Sequence, residues 1–177
     1  MGYTTDFIGT FRFDRPLTPA ERAYLLAFAR IRRVRRDPET AKSLPDPVRE
    51  AVGLPVGPDG EYFVGVAETA GHPPPGQPGP WCHWVPDETG QYLGWDGREE
   101  FSAYVEWLRY LIDRFLAPWG VRVDGRIRYQ GERRDDFGTI SVQANVVAHE
   151  PGVFRLESHT EILRRQPTQL RPQDPPR

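Results

Sequence analysis

The stretch DGREEFSAYVEWLRYLIDRFLAPWG (residues 96–120), continued by VRVDGRIRYQGERRDDFGTISVQANVV (residues 121–147), decides the fold, because its apolar period changes from 3.6 residues to 2 half-way along. Asp96 with Glu99 three residues later matches a capping box, so the spacing predicts a helix starting there. Phe101, Val105, Leu108, Leu111, Ile112 and Phe115 then recur every three or four residues, while Glu99, Glu106, Arg109, Asp113 and Arg114 take the opposite side. Tyr104, Trp107 and Tyr110 widen the apolar stripe, and burying side chains of this size contributes about 1.5–3 kcal/mol each. Pro118 disfavours helical geometry at Ala117, and Gly120 can take the left-handed conformation that closes a helix.

Beyond that stop the pattern alternates. Ile127 and Tyr129 interleave with Arg126, Arg128 and Gln130, and Ile140, Val142, Ala144 and Val146 with Thr139, Ser141, Gln143 and Asn145. Two half-buried strands joined across residues 132–138 as an antiparallel hairpin are the economical reading. Asp124-Gly125 is a further turn signal, which would split off a short strand at Val121 to Val123.

The rest of the chain supplies partners for this unit. Phe7, Gly9, Phe11 and Phe13 alternate as an opening strand. Thr18-Pro19-Ala20-Glu21 starts a helix that would turn Ala23, Tyr24, Ala27, Ile31 and Val34 to a core and end in Arg30, Arg32, Arg33, Arg35 and Arg36. Asp46-Pro47 opens a short helix ending near Gly53, and Tyr62, Val64 and Val66 read as a strand. After the proline-rich run of residues 72–80, Trp81 to Pro86 and Gln91 to Trp95 form a hairpin about Asp87-Glu88-Thr89-Gly90, and Val153 to Glu157 adds an edge strand. The expected fold is α+β: a mainly antiparallel sheet with two principal helices on one face, ferredoxin-like being the nearest named architecture. Residues 1–165 read as one domain and 166–177 as a polar, proline-rich, disordered tail.

Composition narrows the function classes. With 177 residues, 38% hydrophobic and 12% aromatic content, the chain can bury one ordinary core. A net charge of -2 gives no overall attraction to nucleic acid or membrane, and no apolar run is long enough to span a bilayer, so a cytoplasmic protein is expected. The single Cys82 excludes an internal disulfide framework, and its burial as a structural residue is favoured over a nucleophilic role. No histidine or cysteine spacing matches a metal site, no phosphate-cradling glycine loop is present, and neither metal nor cofactor is expected.

Several segments resemble a small family of uncharacterised bacterial and bacteriophage-associated proteins. They are Pro75-Gly76-Gln77-Pro78-Gly79 with Trp81-Cys82 and Trp84 (GQPGxWCxW), Val105-Glu106-Trp107-Leu108, Pro118-Trp119-Gly120, and Gly131-Glu132 with Asp135-Asp136-Phe137-Gly138 (GExxDDFG). The resemblance implies a stand-alone bacterial domain and carries no activity across.

Three groups of residues are candidates for function. Trp81, Trp84 and Trp95 fall on the expected hairpin with His83, and beside Gln77 they can offer an aromatic platform to a protein, a sugar or a base. Core packing beneath the proline loop accounts for the same tryptophans. Glu132, Asp135 and Asp136 could act as acid, base or metal ligands, although a solvated hairpin tip neutralised by Arg133 and Arg134 explains them at lower cost. Arg32, Arg33, Arg35 and Arg36 could bind an anion, or could answer the helix dipole. The preferred expectation is a non-catalytic interaction module, of accessory, inhibitor or immunity type, recognising another protein. The alternative is a hydrolase or transferase acting on a nucleotide or nucleic-acid-derived substrate through the acidic cluster.

Overall fold

A computed structural model describes residues 2–54 and 68–153. Its elements, in chain order, are β1 (Thr5–Ile8), β2 (Phe11–Phe13), α1 (Pro19–Arg30), β3 (Arg35–Arg36), α2 (Pro38–Lys42), α3 (Pro47–Glu50) and β4 (Glu68–Ala70). There follow β5 (Trp84–Pro86), β6 (Tyr92–Trp95), α4 (Tyr104–Leu111) running into a π-turn at Ile112–Leu116, β7 (Val123–Gly131), β8 (Phe137–Gln143) and β9 (Val146–Pro151).

The main sheet is antiparallel throughout, in the order β5-β6-β2-β7-β8-β9, with β1 also on β7. β1 and β2 follow one edge of β7 in a single register, Ile8 opposite Arg128 and Phe11 opposite Gly125. The break between them falls at Gly9, whose φ is +118° and where a Cβ would meet the Arg126 carbonyl oxygen at 2.9 Å. Counting β1–β2 as one strand, the first, β5, β6 and β7 lie in the order second-third-first-fourth, with α1 and α4 as the crossovers. That is the split βαβ connectivity of ferredoxin-like folds, extended by the β8–β9 hairpin. The small pair β3–β4 stands apart from this sheet.

One face of the sheet is covered by both helices. β7 buries Val123, Ile127 and Tyr129 and exposes Arg126, Arg128 and Gln130, while Phe11, Phe13, Trp84, Leu93, Ile140 and Val142 complete the inner face. Against it pack Tyr24, Leu25 and Phe28 of α1 and Val105, Trp107, Leu108 and Leu111 of α4. At the end of α4 the Ala117 N–H donates to the Ile112 carbonyl, and the wider turn buries Phe115 and Leu116 together. Gly120 closes the segment at φ +73°.

The start of α1 follows the sequence. The Thr18 hydroxyl accepts the Glu21 N–H, and the Glu21 carboxylate accepts the Thr18 N–H. Arg15 grips the same carboxylate at 2.9 Å and also donates to the Trp119 carbonyl, tying the helix start to the Pro118-Trp119-Gly120 stop. The Arg15 hydrogen bonds are the main reason that the Glu21 pKa lies below the ordinary value of about 4.5, burial opposing them. A depressed folded-state pKa gives stability that is complete above about pH 4.5 and lost as pH falls through the folded value. Glu21→Gln is therefore expected to lower the urea midpoint at pH 7 and to shrink the acid-side loss between pH 5 and 3, relative to wild type, by roughly the same amount.

Several local expectations are corrected. The helix begins at Tyr104, not at Asp96, and its cap position is Ala103 in the left-handed region (φ +53°) with no side-chain cap bond. Asp96 is held elsewhere, by His83. Gly125 does not end a strand: β7 runs through it, so no separate strand forms at Val121 to Val123. Ala144 and Asn145, both with positive φ, break the expected strand at 139–146 into β8 and β9. The Asn145 side chain anchors this turn, accepting the Val123 N–H and donating to the Val121 carbonyl. α1 buries Tyr24, Leu25 and Phe28 while Ala23 is exposed, and it ends at Arg30, so the later arginines lie outside the helix. The expected strand at Tyr62 to Val66, the Glu157 end of the expected edge strand and the 166–177 tail lie outside the described residues.

Candidate functional site

Three segments converge beside the N-terminal end of α4. The first is the proline-rich loop, which hangs on main-chain bonds from Arg33 N–H to the Pro80 carbonyl (2.7 Å) and from Arg35 N–H to the His72 carbonyl (3.1 Å). Gln77 within it is buried and donates to the Tyr110 hydroxyl at 3.2 Å, so it braces the loop instead of offering an amide to a partner. Trp81 follows, half-buried, its indole nearly parallel to the His83 ring with centroids 6.3 Å apart. His83 is itself buried, its Nδ1 lying 3.1 Å from Asp96 Oδ2.

The second segment is the turn from Arg98 to Ala103. Glu100 (φ +61°) and Ala103 (φ +53°) both hold a left-handed backbone without being glycine, a strained arrangement that costs of order 1–3 kcal/mol each and that clusters at functional sites. Asp96 Oδ1 accepts the Arg98 N–H, and the Trp95 indole N–H donates to the Arg98 carbonyl, so the turn is pinned at its entry.

The third is the β7–β8 tip. Gln130 Nε2 donates to the carbonyls of Gly131, Arg133 and Asp136 and braces the reversal from inside. Arg133 pairs with Asp135 at 2.7 Å and holds its carboxyl below the usual range, Glu132 accepts the Thr4 N–H at 2.8 Å, and Asp136 accepts from the Tyr3 hydroxyl.

Between these segments lies an open cleft of about 680 Å³, lined among others by Tyr3, Arg32, Trp81, Glu100, Tyr104 and Asp136. A hollow of about 330 Å³ adjoins it through Tyr3 and Asp136, and another of about 250 Å³ through Trp81 and Glu100. The Tyr104 pKa is raised by burial first and by Tyr129 and Asp136 next; Tyr129 is raised mainly by burial, and its hydroxyl lies 2.8 Å from His149 Nε2. Both phenols stay protonated, and the Tyr104 hydroxyl already donates to that of Tyr129.

The structure thus brings together one member of each candidate group: Trp81, Asp136 and Arg32. His83 stays beside Trp81 and Asp135 beside Asp136 at the adjoining hollows, and the remaining candidates are drawn elsewhere. Trp84 is 1% exposed, its indole N–H bonded to the Tyr104 carbonyl, and its register partner Trp95 packs on Phe7, so the hairpin presents no aromatic platform. Burying two indoles on the inner face of a two-stranded ribbon is the cheaper outcome once a helix covers that face. Arg33 turns inward, its guanidinium 4.4 Å from the Phe28 ring centre and its pKa lowered to about 10 by burial, while Arg35 and Arg36 form β3; the four arginines make no common patch. Glu132 and Asp135 serve the tip. Cys82 is fully buried, which pushes its thiol up to about 12 and leaves it a packing residue.

Tyr3, Glu100, Ser102 and Tyr104 enter the cleft without a sequence signal of their own. Tyr104 reads as part of the helix stripe, and a left-handed glutamate has no composition signature. Among the described residues no three His, Cys, Asp or Glu side chains gather as a metal site, and no described helix is long and apolar enough to cross a membrane. No protein-family model matches the chain, and no curated protein or solved structure shows significant similarity to it.

Proposed function

We propose that this chain is a non-catalytic interaction module, of accessory, inhibitor or immunity type, that grips a protein partner in the cleft between the proline-rich loop, the Arg98–Ala103 turn and the β7–β8 tip. The observation that carries this reading is the make-up of that cleft. Trp81, Phe101, Tyr104 and Tyr3 give it aromatic walls, polar groups stand at fixed places among them, and two strained residues hold its rim. Anchoring pockets at protein interfaces have this composition, in which large rigid side chains lose little entropy on binding. The GQPGxWCxW and GExxDDFG segments, which carry the resemblance to the phage-associated family, both border the cleft through Trp81 and Asp136. The hydrolase or transferase alternative rests on the carboxyl groups of the acidic cluster converging on one substrate position. Here Asp135 is engaged by Arg133 and Glu132 by the main chain, so of the acidic cluster only Asp136, itself bonded to the Tyr3 hydroxyl, lines the cleft. The proposed setting is the cytoplasm, where an unpaired thiol such as Cys82 persists.

A photo-reactive phenylalanine analogue placed at Ser102, on the cleft, and at Arg12, on the open sheet face, tests this in the producing cells. A discrete cross-linked species is expected from position 102 alone, and it should vanish on adding Trp81→Ala while circular dichroism stays unchanged. Cross-linking of equal yield from position 12, or yield from 102 that survives Trp81→Ala, would overturn the proposal.

A further inference from the structure

We infer that the start of α4, where it meets Gly79 at the wall of the cleft, is a receptor for a carboxylate of the protein partner. This rests on the interaction-module reading and specifies what the cleft grips. The helix begins without a side-chain cap: Ala103, at the cap position, is left-handed and carries no group that can accept a hydrogen bond. The first N–H of the helix to find an acceptor is that of Trp107, on the Ala103 carbonyl, and those of Tyr104, Val105 and Glu106 make no hydrogen bond among the described residues. With its π-turn the helix runs from Tyr104 to Leu116, so its dipole places a partial positive charge at this end.

A further donor is independent of the helix end. Trp107 is 0% exposed, and its indole N–H has no hydrogen-bond partner among the described residues. Helical side chains lean toward the N-terminus, and this one does. A Cβ on Gly79 would lie 3.6 Å from Trp107 Nε1 and 3.9 Å from Ser102 Oγ, and apart from the prolines on either side of Gly79 no other described atom comes within 4 Å of that point. Ser102 and Pro80 line the cleft. The glycine thus leaves a slot that leads from the cleft wall to an orphaned, buried N–H, whose desolvation an incoming acceptor would offset.

The donors select the ligand class. A carboxylate has about four lone-pair sites against two on an amide carbonyl, and its charge answers the helix end. Arg32 also lines the cleft, and the main chain of the next residue, Arg33, is bonded to the Pro80 carbonyl. The two carboxylates of the cleft are turned to the N-terminal segment: Glu100 lies against Gly2, and Asp136 accepts from the Tyr3 hydroxyl. A doubly charged phosphate would be repelled by them more than a singly charged carboxylate.

The test uses the full chain carrying 15N-labelled tryptophan, because a hydrogen bond to an indole N–H moves its proton resonance downfield. With the Trp107 signal assigned through bonds, N-acetylglycine, its neutral amide, N-acetylaspartic acid α-amide and inorganic phosphate are titrated in turn. A saturable downfield shift of Trp107 is expected with a carboxylate probe, and the neutral amide should bind about tenfold more weakly or worse. The two carboxylate probes distinguish a chain end from an aspartate side chain, and either one binding supports the site. Gly79→Ala is the blocking variant. The φ of Gly79 is not in the left-handed region and both new contacts are of ordinary length, so the variant should keep the wild-type urea midpoint while its methyl group fills the slot and lowers affinity about tenfold. Should it lose stability, the carboxylate–amide comparison on the wild-type chain decides alone. An amide equal to the carboxylate, phosphate tighter than both carboxylates, or undiminished binding in folded Gly79→Ala would each overturn the assignment. So would the absence of any saturable Trp107 shift, and that result would leave the cross-linking test of the wider cleft standing on its own.

Discussion

Trp84→Ala is expected to cost about 3–5 kcal/mol of stability, whereas Trp81→Ala, three residues away, should cost about 1 kcal/mol and abolish cross-linking from the cleft. The two indoles differ in surroundings, not in chemistry. Trp84 is sealed, with ring contacts to Phe7, Phe11 and Phe101 between 5.2 and 5.8 Å and its N–H on the Tyr104 carbonyl. Truncating it opens a cavity that rigid neighbours cannot fill and removes the indole hydrogen bond to the main chain at the start of α4. Trp81 is half-buried and loses mainly its stack on His83. Since domains of this size are stable by only about 5–15 kcal/mol, Trp84→Ala removes a large share of the total. Urea unfolding at constant m-value measures both losses. Equal midpoints for the two variants would mean that Trp84 is not sealed, and the separation of a structural from a recognising tryptophan would fail.

That separation could not be read from the chain alone, for a physical reason. Alternation puts Trp81 with His83 and Cys82 with Trp84, but β5 begins only at Trp84 and His83 is buried like Cys82 and Trp84, and period 2 in any case says only which residues share a side. Which side becomes wet depends on where α4 lands. The long amphipathic helix, the Thr18 capping box, the Gly120 stop and the β7–β8 hairpin were legible because each rests on contacts within about a dozen residues. The start of α4 was misread because Asp96 has the right spacing from Glu99 and a better partner in His83, a bond that only the β5–β6 hairpin creates. The turn at Ala144-Asn145 lacks the glycine that usually announces such a reversal, and Asn145 offsets the strain through bonds to Val121 and Val123, some twenty residues earlier. The cleft is the extreme case. Tyr3, Trp81, Glu100 and Asp136 are dispersed over most of the chain, and nothing local marks them as neighbours.

Gly125→Ala is the second substitution with a large expected effect, about 2–4 kcal/mol. Asp124-Gly125 has the composition of a turn, yet here the glycine lets β7 pass unbroken between β2 and β8, opposite Phe11 on one side and Val142 on the other. Its φ of +143° is unfavourable for any residue with a Cβ, and that atom would come within 3.1 Å of both the Phe11 Cα and the Thr10 carbonyl oxygen. Both obstacles are main chain, so no side chain can swing aside. Gly97 supplies the control: its φ is +81° but no atom lies within 4 Å of a Cβ there, so Gly97→Ala should show the dihedral cost alone, about 1 kcal/mol. The difference between the two variants isolates the steric part. Because β7 carries the tip that bears Asp136, any relief of the clash by sliding β7 along β2 would also shift one wall of the cleft. Two variants of equal stability would show that the strands are not pressed together at this point, and the single register of β1 and β2 along β7 would have to be abandoned.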